Sequence, residues 1–200
     1  MRLLFISNLF PDTVEPERGV EHVDLLHALA DRWEIRVVAL RPVRLWSHGE
    51  WHPRASDVDL RPQFVAAPCI RGLGARWNHR LCARALRKPL DLLRRDWSFD
   101  TVLTAQLHPD VCAVSHLIGE FHHRFVVVAQ GSETDESLKN SARRKMIAAH
   151  LSRASGVVTS SAALTALLGR ARFRKDRIHP ASTWEIAAEA CHRLLLPVRG

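Results

Sequence analysis

The chain has 200 residues, 46% hydrophobic and 25% charged, with a net charge of +8. That length and balance suit one globular domain with a real core and exclude a disordered or fibrous chain. No apolar run approaches the ~20 residues of a membrane span, and the opening run is too short for a secretory signal, so a cytoplasmic protein is expected.

The first element predicted is a buried strand, Leu3–Ile6, which ends in Ser7-Asn8 and a loop broken by Pro11 and Pro16. Gly19 then opens an amphipathic helix over 20–32 with apolar positions at Val20, Val23, Leu26, Leu29 and Ala30. In open α/β sheets such carboxyl-end loops hold ligands, and helix N-termini attract anions. No Gly-x-Gly-x-x-Gly occurs here, so the dinucleotide fingerprint is excluded.

A second strand, Ile35–Leu40, precedes a Pro-rich stretch, Arg41–Pro62, that reads as a long loop with two exposed tryptophans, Trp46 and Trp51. His48 and His52 stand four apart in it, but Gly49 and Pro53 argue against the helix that a metal-binding pair would need. No metal site is expected there or elsewhere. The four cysteines (Cys69, Cys82, Cys112, Cys191) are scattered and read as reduced core or helix residues.

After a third strand at Phe64–Ala66, the stretch Arg71–Arg95 carries eight basic residues against the single acid Asp91. A helix over 76–95, kinked or split at Pro89, would set Arg76, Arg80, Arg84, Arg87 and Lys88 above an apolar side of Trp77, Leu81, Ala85, Leu86, Leu92 and Leu93. Such a face suits an anionic membrane surface, where each basic residue contributes on the order of 1 kcal/mol. A solvated helix packed on the sheet would carry the same pattern. Nucleic acid is not expected as a partner, because no recognised binding motif accompanies the charge.

The fourth strand, Thr101–Thr104, exits through Gln106-Leu107-His108-Pro109-Asp110. His108 at that exit can serve as an acid, a base or a hydrogen-bond donor, or simply pack on the loop, with Asp110 capping a helix over 110–122. The fifth strand, Phe125–Ala129, exits through Gln130-Gly131-Ser132-Glu133-Thr134-Asp135-Glu136. Amide, hydroxyl and carboxylate groups together suit a hydroxyl-rich ligand, although Asp135 and Glu136 equally complement the dipole of a helix over 137–153. Strand Val157–Thr159 and helices over 161–169 and 184–195 complete the pattern. Alternation of continuous apolar strands with helices predicts an α/β, doubly wound, mostly parallel sheet with helices on both faces.

These residues carry a family resemblance. Ser7-Asn8-Leu9-Phe10-Pro11 with Pro16-Glu17-Arg18-Gly19-Val20 resembles the opening of family 4 glycosyltransferases. Val126–Glu133 is similar to that family's apolar strand followed by His-Gly-Ser-Asp. Ala154–Leu164 is similar to its Ala-Asp-x-Val-x-x-Ser-x-x-Leu pattern, and Asp176-Arg177-Ile178-His179 to the strand that follows.

The resemblance implies a Rossmann-like, acceptor-side half of a two-domain GT-B enzyme over 1–180, followed by a helical tail over 181–200. It implies metal-independent transfer of a sugar from a nucleotide-sugar, a substrate rather than a cofactor, to a glycan or lipid-linked acceptor. Arg18 and Gly19 would lie near the donor phosphates, and Gln130, Gly131 and Glu133 in the loop where many members place a histidine. Gln130 replaces that histidine, which removes a proton-transferring group. His179 is followed by Pro180-Ala181-Ser182-Thr183-Trp184-Glu185 rather than Pro-Asn-Gly-Val-Asp, so the donor-binding half is expected on a separate chain or lost. Work at the inner face of a membrane fits the basic segment, and a non-catalytic binding domain is the alternative. Ser182 and Glu185 have the spacing of a capping box for the terminal helix.

Overall fold

A computed structural model describes residues 1–44, 49–121, 123–130, 138, 140–170 and 173–196. Seven strands form one sheet: β1 (Arg2–Ser7), β2 (Glu34–Val43), β3 (Gln63–Pro68), β4 (Thr101–Ala105), β5 (Arg124–Ala129), β6 (Gly156–Thr159) and β7 (Ile178–Pro180). Their order is β3-β2-β1-β4-β5-β6-β7 and every pairing is parallel. The α-helices described in full are α1 (Val20–Ala30), α2 (Asn78–Asp96), α3 (Cys112–Phe121), α4 (Ser141–Leu151), α5 (Ala162–Arg170) and α6 (Trp184–Leu195).

The strands are apolar throughout because both faces are covered, and the two-residue period sorts each strand between two cores. Leu4 and Ile6 of β1, Val38 and Leu40 of β2, and Phe125 and Val127 of β5 point to one side, where α2, α3, α4 and α5 pack. Leu3 and Phe5, Val37 and Ala39, and Val126 and Val128 point to the other, where α1 and α6 pack. A one-residue slip in any of these strands would exchange its two sets of side chains.

Three local expectations are corrected. The stretch after β2 is not one loop: β2 runs on to Val43, and Ala55–Leu60 coils into a 3-10 helix that buries Asp57 and Leu60. Trp51 there is half-buried, while Trp46 and His48 lie outside the described residues. Helix α2 runs unbroken through Pro89, since packing against α3 and β3 holds its turns together. Its buried side is Cys82, Ala83, Leu86 and Leu90, so the apolar stripe is rotated from the expected one and leaves Trp77 and Leu92 exposed.

At the other end of the chain, Thr183 rather than Ser182 caps α6, its hydroxyl accepting from the Ile186 amide. Ala187, Cys191 and Leu195 of α6 are buried against the α1 side of the sheet.

Leu86 is fully buried, so Leu86→Ala should cost about 2–5 kcal/mol by loss of transfer energy and cavity formation. Leu92→Ala, at a side chain 48% exposed, should stay within about 0.5 kcal/mol. Urea denaturation of the two variants checks which face of α2 is core.

Candidate functional site

Strand order reverses direction between β1 and β4, because the first crossover leads from β1 to β2 and a later one carries the chain back from β3 to β4. Ligands of open α/β sheets sit in the crevice beyond the carboxyl ends of such a pair. Here the crevice is bounded by the β1–α1 loop and the β4–α3 loop, and buried polar groups tie the two together. Asp110 is fully buried and accepts from Ser7 Oγ at 3.0 Å and from the Asn8 amide at 2.7 Å. It therefore anchors the β1 exit and does not simply cap α3 as expected.

The β1–α1 loop is built around Asp12. One carboxylate oxygen accepts from the Val14 and Glu15 amides, each at 2.7 Å. The other pairs with Arg41 of β2 at 2.6 Å, both side chains being at most 3% exposed. Arg41 also donates to the Phe10 carbonyl, and burial lowers its pKa against the opposing pull of Asp12. The 3-10 stretch leans on the same loop, with Arg54 held by Asp57 and donating to the Pro16 carbonyl at 3.0 Å.

Arg18 and Gly19 close this loop. Arg18 is half-buried, donates Nε to the Asn8 carbonyl at 2.9 Å and pairs with Glu15 at 2.7 Å. Gly19 sits at φ +70°, and a Cβ there would lie 2.5 Å from the Leu9 carbonyl oxygen. Its missing side chain is accounted for by the chain's own backbone. Beneath it His22 is buried on the Phe5 ring at 5.8 Å with no hydrogen-bond partner for either ring nitrogen. Burial holds its pKa below the usual value, opposed first by the charge of Glu21 and then by the Leu9 and Gly19 backbone.

Across the crevice the backbone leaves β4 through Gln106 at φ 63° and a cis His108–Pro109 bond. His108 is 8% exposed, and its Nε2 has no hydrogen-bond partner. Burial, aided by Arg143, His79 and His150, pushes its pKa down to about 4. It is therefore a neutral imidazole at pH 7, able to orient a ligand hydroxyl but unable to supply a proton as an imidazolium. His108 and Asn8 share a cavity of about 170 Å³ with Arg143 and Asn78.

A larger cavity of about 460 Å³ lies farther along the same sheet end, beyond β5, β6 and β7. Val128 and Val158 form its apolar floor, and Gln130, Ser160, Ser182, Thr183, Trp184 and Glu185 ring it. Amide, hydroxyl and carboxylate groups beside an indole can hold a hydroxylated ring by its edge and its face. Among the described residues expected to bind ligand, Gln130 alone lines this cavity. Arg18 and Gly19 belong to the anchored loop, His108 to the smaller cavity, and Gly131 and Glu133 lie outside the described residues.

Ser160, Ser182 and Thr183 are the residues sequence reasoning missed. The available signal was their place directly after β6 and β7, the same place Ser7 and Asn8 take after β1.

Arg80, Arg84, Arg87 and Lys88 are all exposed on α2, and Arg76 is exposed on the 3-10 turn, Gly72–Trp77, that leads into it. Arg76 and Arg80 stack on the exposed Trp77 ring at 5.1 and 4.6 Å. Arg80, Arg84 and Arg87 line a groove of about 520 Å³ shared with His116 and Leu117 of α3. Among the described residues no helix is long and apolar enough to cross a membrane.

No protein-family model matches the chain, and no curated protein matches it. Solved structures do. HepE of Anabaena, in complex with UDP and glucose, aligns with a TM-score of 0.53 and 13% identity over 90% of this chain and 44% of its own. The UDP-N-acetylglucosamine 2-epimerase of Rickettsia bellii aligns at 0.55 with 10% identity, over 96% of this chain and 47% of its own. Arabidopsis thaliana UGT89C1, complexed with UDP, aligns at 0.54 with 16% identity, over 98% of this chain and 53% of its own. The chain thus spans about half the length of the solved structures it matches, and its fold is that of one GT-B half-domain.

Gly19→Ala should destabilise the fold by about 1–3 kcal/mol, because the left-handed backbone and the Leu9 carbonyl both oppose a Cβ. Thermal unfolding of the purified variant measures this without any ligand.

His22 supports a second test. Its folded pKa lies below the ordinary 6.5, so protons bind the unfolded state first and stability falls as pH drops below about 6.5. His22→Leu should flatten the decline in Tm between pH 7 and pH 5, while an unchanged slope would show that the imidazole titrates alike in the folded and unfolded chain.

Proposed function

We propose that this chain is the acceptor-side half of a nucleotide-sugar-dependent glycosyltransferase of the family 4 type. The observation that carries the reading is the pairing of an all-parallel β3-β2-β1-β4-β5-β6-β7 sheet with polar, cavity-forming loops at its carboxyl end. Solved structures that share this half of the fold include HepE in complex with UDP and glucose and UGT89C1 complexed with UDP. The Asn8–Gly19 and Val126–Glu133 segments resemble the family's opening and fifth-strand motifs. The domain would extend over 1–180, with 181–200 as a helical tail.

In this reading the ringed cavity beside Gln130 takes a sugar or glycan acceptor. Gln130 and Ser160 offer donors and acceptors to hydroxyls, while Trp184 offers an apolar face to the ring. His108, neutral at pH 7, acts by orientation rather than by proton donation. Arg18 stands on the loop nearest the expected donor phosphates and presents a guanidinium fixed at Nε by the Asn8 carbonyl. Gly131 and Glu133 join the acceptor loop as the resemblance implies. The donor sugar would be held by a second half contributed by a partner chain, and the protein would work in the cytoplasm at an anionic membrane surface through the arginines of α2.

Calorimetric titration tests the division of labour. Heat from a lipid-linked glycan acceptor with none from UDP-glucose is the expected result, and silence toward both would leave a fold without the activity. The surface is tested separately by sedimentation with vesicles containing phosphatidylglycerol. Reversing Arg80, Arg84 and Arg87 to Glu together should lower vesicle partitioning at least about 100-fold, each basic residue contributing on the order of 1 kcal/mol near the surface.

A further inference from the structure

Beneath the arginine groove three histidines from three different helices converge: His79 of α2, His116 of α3 and His150 of α4. One ring nitrogen of each lies within 4.8 Å of the others. His79 and His116 stack with planes 9° apart and centroids 5.4 Å apart, and His150 stands edge-on to His116 at 4.9 Å. His79 is buried and its Nδ1 has no hydrogen-bond partner, His150 is half-buried, and His116 is exposed.

Neighbouring contacts already constrain this cluster. The hydroxyl of Ser115, a buried residue, lies 3.1 Å from His150 Nδ1 and fixes its ring, as partners of metal-bound imidazoles do. Arg153 donates to the Ser115 carbonyl at 3.2 Å and braces the same turn. Packing alone gives little reason for three converging imidazoles where α2, α3 and α4 meet, since apolar side chains of similar size would fill the space without an unpartnered nitrogen.

We infer that His79, His116 and His150 form a three-histidine site for a transition-metal dication of the zinc class. Imidazole nitrogen suits zinc, cobalt, nickel and copper, and a set without carboxylates disfavours calcium and magnesium. Tetrahedral zinc at its usual bond length to imidazole needs nitrogens about 3.4 Å apart, so the three rings must draw in by ring rotation of roughly 1 Å each.

Three neutral ligands leave the charge of the ion uncompensated and one coordination position open. His116 also lines the groove of Arg80, Arg84 and Arg87, which gives water or a small oxyanion access to that position. The flanking arginines would repel a bare cation, so an anion in the fourth position balances the site. The inference stands apart from sugar transfer and does not depend on it.

The test is titration of the full-length, EDTA-stripped chain with zinc chloride in a calorimeter, and with cobalt chloride followed by visible absorption. One equivalent should bind, with intense cobalt bands of a four-coordinate site, and His116→Ala should weaken binding at least about 100-fold, beyond the loss typical of an outer-shell partner. His116 is exposed, so its removal leaves the fold intact, which the Tm of the stripped variant verifies. His150→Ala should give the same loss. Absence of binding by the natural sequence overturns the inference, and so does one-equivalent binding that survives His116→Ala, which would place the metal on other histidines.

Discussion

The buried pair between Arg41 and Asp12 is the constraint on which the crevice depends. Arg41 stands on β2, next to the central β1, and reaches across the strand end to a loop with no regular structure of its own. Removing two charges from water is costly, and the pair offsets that cost by direct contact and by bonds to nearby backbone, although Nε and one terminal nitrogen of Arg41 have no hydrogen-bond partner. Asp12 takes two backbone amides besides the guanidinium, and Arg41 takes the Phe10 carbonyl and faces the Phe64 ring at 5.1 Å. Loss of either partner would leave the other buried and alone. From this pair the loop geometry follows in sequence: Glu15 is placed, Glu15 holds Arg18, Arg18 holds the Asn8 carbonyl, and Gly19 has only the backbone of Leu9 to turn against. Asp110 does from the β4 side what Arg41 does from the β2 side.

Electrostatics divide the molecule in a second way. The buried charges around β1 are held by an opposite charge or by hydroxyl and amide donors, whereas the charge on α2 is nearly all of one sign and faces solvent. Trp77 gives two of those guanidinium groups a π-face to rest on, so the patch includes an apolar anchor as well as charge. The same positive field reaches the histidines beneath it. Burial is the leading cause that keeps His79, His116 and His150 below the ordinary imidazole range, with Arg80 or Arg153 and the other rings adding to it.

Most of the sheet was legible in the sequence because parallel strands buried on both faces are continuous apolar runs. Leu3–Ile6, Phe125–Ala129 and Val157–Thr159 could be placed almost to the residue for that reason. The α2 stripe was misplaced because an arginine-rich helix offers several apolar sets at helical spacing, and only contact with β3 and α3 selects Cys82, Leu86 and Leu90 over Trp77 and Leu92. The strand-exit loops were legible as locations, but their internal roles were not. Asp110 looked like a cap because its real partners, Ser7 and Asn8, lie at the other end of a crossover. The histidine cluster left no trace in spacing, since each ring comes from a different helix and only the tertiary fold brings them together.

The two ends of the crevice are built on different principles, and that difference bears on what each can do. The β1 side is fixed by ionic and charge-assisted bonds in low dielectric, where a displaced group costs several kcal/mol. Under the proposed function that wall would face the invariant part of the substrate. The rim beyond β5, β6 and β7 is held by neutral contacts, the Thr159 hydroxyl with Thr165 at 2.7 Å and the Thr183 cap on α6. Its ring of exposed hydroxyls, one amide and one indole can change partners at little cost. In the proposed reading a fixed wall beside an adaptable rim would let one framework serve different acceptors, the wall being a loop locked to β2 and β4 and the rim being built from residues that follow β5, β6 and β7.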